Sequence, residues 1–468
     1  MPNIHVLILL VGLLLGRDLA RAREGTVAGE PMQFAIASGW CVVLALIALV
    51  VLPACARGAA SRGSRRLLLQ GMRLASWLRW LLVLPFAGWS VATDAIGAVE
   101  AWIGPWIVLD EIVAALPPLL ALVCISWAEY PLQDRMRQAL VMRQLDEGGL
   151  PDRLPTRLES TVGVARAMLA MPLVPVTLIV FWHEAVAKVL SDSPGWVAMS
   201  IDVAGTMVIV AMAPAVIVRV LGTQRLAEGA LHDRVGELRR AMGTRLRGVR
   251  LWQHASANAA LMGVLPLARY VLVTDRLVRS MPRHELDAVL AHELAHSRQN
   301  HVLWILLSVL AAVLVLSLAQ PALVMMVPGG TVAEGGSVAL ATVLVLMWFG
   351  AVSRLIERQA DAHAAVAIGR EIAEAQGGDT GVVHPAGPAC MAASLDRVCV
   401  LNGIEPSRWG FRHGSVWQRQ RALAALPGLA IDRLPVDRRV RLLKWATLLG
   451  LLGSGAFLAI GAALGWIR

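Results

Sequence analysis

Charged side chains are scarce in this sequence. Only 16% of its 468 residues are Asp, Glu, Lys or Arg, whereas 57% are hydrophobic. A soluble fold of this length needs a larger polar surface than such a composition can supply, so the excess apolar residues must face lipid. The composition therefore excludes a soluble globular protein and predicts a chain embedded in a lipid bilayer.

Cysteine is also rare, and its positions show no pattern. The five cysteines follow no short repeat, and three of them lie in or beside apolar runs. This distribution implies neither a disulfide framework nor a cysteine-based zinc site. The five residues are Cys41, Cys55, Cys124, Cys390 and Cys399.

Lysine is nearly absent, so arginine carries most of the formal net charge of +10. Lysine occurs only as Lys188 and Lys444, beside abundant Arg and Ala, which is typical of a GC-rich bacterial genome. Most of the arginines flank apolar segments, where such residues set the orientation of a membrane protein. We therefore expect no nucleic-acid partner.

Long uncharged stretches define the fold class. Several contain no Asp, Glu, Lys or Arg and match the length of about 20 residues that a spanning helix needs. These are 33–53, 302–327, 335–353 and 446–467. Shorter uncharged stretches become long enough when their polar flanks reach the interface, and they lie at 80–93, 112–128, 167–182 and 203–218. The sequence predicts a mainly α, polytopic helical membrane protein.

The N-terminus allows two interpretations. Residues 4–15 form a short apolar run that is followed by Ala20-Arg21-Ala22. This arrangement fits a signal peptide within residues 1–22 with an A-x-A cleavage site, but no Lys or Arg precedes the apolar run. The missing basic residue favours a short first spanning helix.

Loop charge predicts the orientation of the helices. The Arg-rich loops at 57–73 and 129–166 alternate with acidic loops at 94–111 and 183–202. The positive-inside rule then places the basic segments in the cytoplasm. These cytoplasmic segments are 57–73, 129–166, 219–301 and 354–445, and the short turn at 328–336 lies outside.

A metal-binding pattern lies in the segment 284–301, which reads HELDAVLAHELAHSRQNH. Apolar residues recur there at helical spacing, and Pro282 suits a helix start. His292 and His296 are four residues apart, so both imidazoles project from one face and can bind one zinc ion. Zinc lowers the pKa of a bound water towards about 7, and Glu293 can take its proton as general base. This is the H-E-x-x-H mechanism of zinc metallopeptidases.

A third ligand is expected from the segment 353–365, which reads SRLIERQADAHAA. Glu357 and Asp361 are four residues apart on a predicted helix; Glu357 can bind zinc, and Asp361 can accept a hydrogen bond from a ligand histidine. The stretches 302–327 and 335–353 form a predicted hairpin, which returns Glu357 to the membrane face where His296 lies. His363 is an alternative ligand that faces differently.

These segments resemble the HtpX and CAAX prenyl protease family of membrane zinc metallopeptidases. The resemblance covers roughly 220–430 and rests on four matches to the family pattern. They are AHELAHSRQNH at 291–301, SRLIERQAD at 353–361, the pair Asn258-Ala259 and HGSVWQRQR at 413–421. In the family, a histidine followed six residues later by an arginine assists the transition state and holds the substrate. The resemblance assigns these roles to His413 and Arg419.

These observations divide the chain into three predicted parts. Residues 1–218 form an N-terminal membrane region of about six hydrophobic segments, and 446–468 form a C-terminal transmembrane helix. Residues 219–445 form a helical metallopeptidase domain with a small edge β-sheet, interrupted by the transmembrane hairpin at 302–353. Within it, residues 255–263 are expected to form an edge strand that pairs with an extended substrate, with Asn258 holding the substrate backbone.

The expected function is a membrane-embedded zinc endopeptidase with one Zn²⁺ per chain. It would lie in a bacterial inner membrane, with its active site facing the cytoplasm. Its substrates would be membrane-associated proteins or peptides. Two alternatives stay open. One is a sensor metallopeptidase similar to the BlaR type, whose cut releases a regulator. The other is a non-enzymatic scaffold or transporter with a structural zinc, although a structural site does not need Glu293.

Overall fold

The computed structural model of the chain describes residues 2–22, 30–146, 154–254, 256–326 and 331–464. The chain forms two compact units, Met1–Thr223 and Gln224–Arg468. All regular secondary structure among the described residues of the first unit is helical. Its helices are α1 (Pro2–Ala22), α2 (Pro31–Ser61), α3 (Arg65–Thr93), α4 (Ala95–Ile103), α5 (Leu109–Asp146), α6 (Arg157–Met168), α7 (Val174–Val189) and α8 (Gly195–Val220).

The helices of the first unit are apolar on their outer as well as their inner sides. In α2, Leu44 and Leu52 are buried in the core, whereas Ile47 and Val50 on the same helix are exposed. Exposed aliphatic rows on long helices are unfavourable in water and favourable in hydrocarbon. One irregularity interrupts the regular helices, a π-helical turn at Leu169–Leu173 between α6 and α7. Pro172 lies in this turn and lacks the N–H that a regular α-helix would use there.

A cluster of charged side chains joins four helices of the first unit. Arg17 of α1 lies at its centre, with Nη2 2.7 Å from Glu100 Oε1 and Nη1 2.9 Å from Glu184 Oε1. Glu111 also forms an ion pair with Arg17, and Asp110 lies 3.8 Å from it. The charge of Arg17 is thus compensated by acids from 94–111 and 183–202, the two acidic segments that the positive-inside rule places outside.

The second unit combines a small sheet with helices. Its helices are α9 (Ala230–Ala241), α10 (Asp275–Ser280), α11 (Arg283–Arg298), α12 (His301–Met326), α13 (Thr331–Gln376), α14 (Ala386–Asn402), α15 (Val416–Ala424) and α16 (Pro435–Ala463). Its strands are β1 (Gln224–Arg225), β2 (Gly248–Trp252), β3 (Ala259–Met262) and β4 (Tyr270–Thr274).

The sheet is mixed, with the strand order β1-β2-β4-β3. Strand β4 is fully buried and pairs with β2 in parallel and with β3 in antiparallel orientation. Strand β3 is therefore an edge strand, as predicted, although it is shorter than the expected segment 255–263. Residue 255 lies outside the described residues.

Eight helices in the described part of the chain are long and apolar enough to cross a membrane. Their bounds are Pro31–Ser61, Arg65–Thr93, Leu109–Gln138, Arg157–Val189, Val197–Val220, His301–Pro321, Leu340–Gln376 and Pro435–Gly461. Every uncharged stretch identified between residues 33 and 467 overlaps one of them. The prediction of a mainly α, multi-pass membrane protein with a small sheet is confirmed. Residues 327–330, which include the first three residues of the expected turn 328–336, lie outside the described residues.

Candidate metal centre

The centre is built on helix α11. Pro282 occupies its N-cap position, and the apolar residues Leu286, Leu290 and Leu294 are buried on one side of it. This burial fixes the rotation of the helix, and it brings His292 and His296 together on another side. Their ring centroids are 4.8 Å apart and their Nε2 atoms are 3.1 Å apart.

Helix α13 supplies the third donor. An oxygen of Glu357 lies 3.6 Å from Nε2 of His292, and its other oxygen lies 3.6 Å from Nε2 of His296. One ligand atom from each of these three residues lies within 4.8 Å of the other two. Two imidazole nitrogens and one carboxylate form the donor set that zinc takes in many hydrolases, which leaves a coordination position for water or substrate. The residues present therefore fit a catalytic zinc ion.

Asp361 supports this group from one turn further along α13. Its Oδ1 lies 3.0 Å from Nδ1 of His292, on the side of the ring opposite to Nε2. Arg419 of α15 contacts the same carboxylate twice, with Nε 2.7 Å from Oδ2 and Nη2 2.6 Å from Oδ1. A third nitrogen of Arg419, Nη1, lies 3.5 Å from Glu357. The arginine therefore compensates the charge of both buried carboxylates.

His413 reaches the centre from the loop before α15. Its Nδ1 lies 3.1 Å from Glu357, and 45% of its side chain is exposed. The loop is closed by a bridge between Gly410 and Gly414, and Arg354 of α13 donates a hydrogen bond to the carbonyl of Phe411 at 2.8 Å. These contacts anchor the loop on α13, so His413 borders the metal group while remaining accessible.

Glu293 lies between the two histidines in sequence and faces the edge strand. Its Oε2 accepts a hydrogen bond from the backbone N–H of Leu261 at 2.6 Å. Leu261 belongs to β3, whose partner residue across the antiparallel pair is Val271. The free edge of the sheet therefore runs beside the carboxylate that the sequence predicts to be the general base.

The segment around β3 is tied to the end of α11 by one buried arginine. Arg269 donates to the carbonyls of Gly263 and Val264, to Ser297 and to Asn300 Oδ1. Burial lowers the pKa of Arg269. These bonds set the distance between the edge strand and the metal-binding helix.

Asn258 lies immediately before β3 and is exposed. Its backbone N–H donates to Thr274 Oγ1 at 2.8 Å, and its carbonyl accepts from the N–H of Thr274 at 2.9 Å. The backbone of Asn258 is thus used to attach the strand to the sheet, and its side chain lies at the surface near the strand's start.

Burial and charge shape the protonation of the α11 residues. Burial lowers the pKa of His296 well below its ordinary value. Burial also acts to lower the pKa of His292, but Asp361 and Glu357 outweigh it and raise that pKa to about 10. Burial raises the pKa of Glu293. A cation at this site would replace the proton of His292, since neutral imidazole is the metal-binding form.

Several polar residues behind His296 were missed in the sequence. His301 Nδ1 lies 2.8 Å from His296 Nδ1, and His301 Nε2 lies 2.8 Å from Gln359 Oε1. Gln359 donates in turn to Asp437 of α16 at 2.6 Å. His363, the alternative ligand, contacts Asp437 at 3.0 Å and is not part of the metal group found among the described residues. A signal existed, because His301 and Gln359 are polar residues at the ends of apolar membrane stretches.

A multi-pass helical protein with a buried H-E-x-x-H helix and a convergent glutamate is an integral membrane metallopeptidase. Residues 225–379 match the model of peptidase family M48, and they include His292, Glu293, His296 and Glu357. This part of the chain is therefore similar to peptidase family M48 domains.

The crystal structure of S. mikatae Ste24p is similar to the chain with 15% sequence identity and a TM-score of 0.37, covering 70% of this chain and 89% of that chain. No curated protein matches the sequence.

Proposed function

We propose that the chain is a zinc endopeptidase that hydrolyses peptide bonds of membrane or membrane-proximal proteins. The observation that carries the proposal is the convergence of His292, His296 and Glu357 beside Glu293. A bound zinc ion would supply a Lewis acid for the scissile carbonyl and would acidify a water molecule. His292 and His296 would hold it through Nε2, and Glu357 would hold it through its carboxylate.

Glu293 is proposed as the general base. It is buried, it is not one of the three converging metal-ligand residues, and it directly follows His292 in the sequence. Its carboxylate would accept a proton from the attacking water and then donate it to the leaving amine. Burial raises the pKa of Glu293, which makes its carboxylate a better proton acceptor.

The free edge of β3 is proposed as the substrate-binding strand. An extended peptide that added to this edge would pass directly in front of Glu293, because Glu293 already bonds the N–H of Leu261. Backbone pairing of this kind recognises extended peptides with little demand on their side chains. The exposed side chain of Asn258 stands at the start of the strand, where it can bond the substrate backbone.

His413 and Arg419 are proposed to support the reaction in different ways. His413 is accessible and borders Glu357, so it can donate a hydrogen bond to the oxygen that gains charge in the transition state. Arg419 is buried and commits two donors to Asp361. This geometry favours a positioning role for Arg419 over a direct contact with substrate.

We further propose that the peptidase segment 219–445 faces the cytoplasm of a bacterium from its inner membrane. The Arg-rich composition of 219–301 and 354–445 supports this orientation. Substrates would then reach the site from the bilayer surface. Cleavage could serve either protein processing and quality control or the release of a signal, and both uses need the same chemistry.

The charged residues in and near the membrane helices, which a transporter would use, are paired with one another. This pairing argues against the transporter alternative. Arg79 forms an ion pair with Glu129, Glu111 with Arg17, and Asp202 lies 3.1 Å from His183. Paired charges at helix contacts stabilise a bundle, whereas a transport path needs groups that are free to exchange partners.

The decisive experiment compares Glu293→Gln with the wild type. Cleavage of a membrane-protein substrate should fall by about 10²–10⁴ because glutamine cannot accept a proton, whereas bound zinc should stay at one per chain. Glu357→Ala should instead lose zinc. Glu374→Gln on the exposed side of α13 is the matched control, with both cleavage and zinc unchanged. Undiminished cleavage by Glu293→Gln would disprove the mechanism.

A further inference from the structure

A row of hydrogen bonds connects the imidazole of His296 to the first turn of α16. It begins at Nδ1 of His296, the ring nitrogen that faces away from Glu357, and passes to His301 Nδ1 at 2.8 Å. It continues from His301 Nε2 to Gln359 Oε1 at 2.8 Å and from Gln359 Nε2 to Asp437 Oδ1 at 2.6 Å. Three membrane helices, α12, α13 and α16, supply one residue each.

The direction of every bond in this row is set by its far end. A carboxylate such as Asp437 only accepts, so the amide N–H of Gln359 must face it and the amide carbonyl must face His301. His301 therefore donates from Nε2, and its Nδ1 carries the lone pair. That lone pair can only accept from an N–H on Nδ1 of His296. Nε2 of His296 is then left unprotonated, toward His292 and Glu357.

The reverse direction would disable the site. If the amide of Gln359 were turned, His301 would carry its proton on Nδ1 and point it at Nδ1 of His296. His296 would then be protonated on Nε2, where a metal ligand needs a lone pair. Water cannot readily supply the missing hydrogen-bond partners, because His301 is fully buried and Gln359 is 4% exposed.

We propose that Asp437 is a positioning residue for the metal centre. Acting through Gln359 and His301, it holds His296 in the tautomer that can bind a metal. The inference rests on the proposed zinc site, and it makes zinc binding depend on the docking of the first turn of α16. His363 also contacts Asp437, at 3.0 Å, and helps to fix the carboxylate in place.

The test measures zinc affinity of the full-length protein in detergent, by competition with a chromophoric chelator. Asp437→Asn can present either an N–H or an oxygen to Gln359, so the amide is free to turn. Zinc should bind about tenfold more weakly, at the lower end of the 10–100-fold cost of losing an outer-sphere partner. The visible spectrum of the Co²⁺-loaded variant should also change, because the spectrum reports the geometry of the ligands. Asp437→Glu keeps an acceptor-only group and should recover part of the affinity.

Two comparisons separate this role from general destabilisation. Asp432→Asn makes the same chemical change at a largely exposed carboxylate and should leave affinity and spectrum unchanged. In a Gln359→Leu background the row is already broken, so adding Asp437→Asn should cost no further affinity. His301→Phe removes the central acceptor and donor, and it should reproduce the loss even if Asp437→Asn fails to fold.

The outcomes are distinguishable. Wild-type affinity and an unchanged Co²⁺ spectrum in Asp437→Asn would overturn the inference while leaving the zinc site intact. Additive losses in the Gln359→Leu background would overturn it too, because Asp437 would then act by another route. A wild type that binds no zinc would overturn the proposed function, and this inference with it.

Discussion

Arg419 donates two parallel hydrogen bonds to Asp361, from Nε to Oδ2 at 2.7 Å and from Nη2 to Oδ1 at 2.6 Å. Such a bidentate contact fixes the plane of the carboxylate as well as its position. Because Oδ1 of Asp361 also lies 3.0 Å from Nδ1 of His292, the arginine orients the carboxylate that faces the first histidine. The two histidines thus have separate supports, an Arg-Asp pair behind His292 and the row ending at Asp437 behind His296.

Replacing the guanidinium fork should weaken the metal centre without removing charge. Arg419→Lys keeps one positive charge but cannot make two parallel bonds to Asp361. We expect zinc affinity to fall by about 10-fold or more, in the range for lost outer-sphere partners. Chelator competition measures it, with Arg421→Lys on the exposed side of α15 as the control. Equal affinities for the two variants would show that the bidentate contact is dispensable.

The H-E-x-x-H part of the site could be predicted because it is local. A helix brings residues four apart onto one face, so His292 and His296 follow from their spacing alone. Glu357 follows from a less local argument, in which two uncharged stretches must cross the bilayer and return. Both steps use only periodicity and hydrophobic length, which the sequence displays directly.

The supports behind the histidines could not be predicted in the same way. Gln359 and Asp437 are 78 residues apart and meet only because α13 and α16 pack together. No spacing rule predicts which side of a membrane helix faces which neighbour, since lipid and protein interior are equally apolar. The π-helical turn at Leu169–Leu173 and the short extent of β3 could not be predicted for a similar reason. Both are set by packing and by backbone pairing.

His413 should matter for turnover and not for zinc binding. Its Nδ1 contacts Glu357, but its ring is half exposed and is not part of the group of ligand atoms. His413→Ala should lower kcat by about 10²–10³, the cost of removing one donor to a developing oxyanion. Zinc content, counted in the same sample, should stay at the wild-type level. His232→Ala on the exposed surface of α9 is the control, and full activity of His413→Ala would disprove the assigned role.

The orientation of the hairpin formed by α12 and α13 can be tested by labelling. Val332→Cys and Thr380→Cys each add one thiol to the native five, before and after the apolar part of α13. We expect a membrane-impermeant maleimide to label position 332 from outside and position 380 only from the cytoplasmic side, because the Arg-rich segment follows the helix. The parent chain gives the background from its native cysteines. Labelling of both positions from one side would overturn the proposed topology.

The Arg17 cluster should be essential to the stability of the first unit. Arg17 faces four carboxylates, from Glu100, Asp110, Glu111 and Glu184, so removing its charge leaves several acids close together without the guanidinium that they share. Breaking a buried ion pair from one side costs about 3–5 kcal/mol, much more than an exposed pair contributes. Arg17→Met keeps much of the side-chain volume and removes the charge, so the apparent unfolding temperature in detergent should fall clearly.

Two variants give this last prediction its control and its rescue. Arg66→Met removes an equivalent charge from an exposed position on α3 and should leave the unfolding temperature nearly unchanged. Adding Glu111→Gln to Arg17→Met removes one of the stranded acids, so part of the lost stability should return if charge imbalance is the cause. If the double variant is no more stable than Arg17→Met, the loss comes from packing around Arg17 and not from its charge. If Arg17→Met unfolds at the same temperature as Arg66→Met, the cluster contributes nothing to stability and Arg17 would have to be explained in another way.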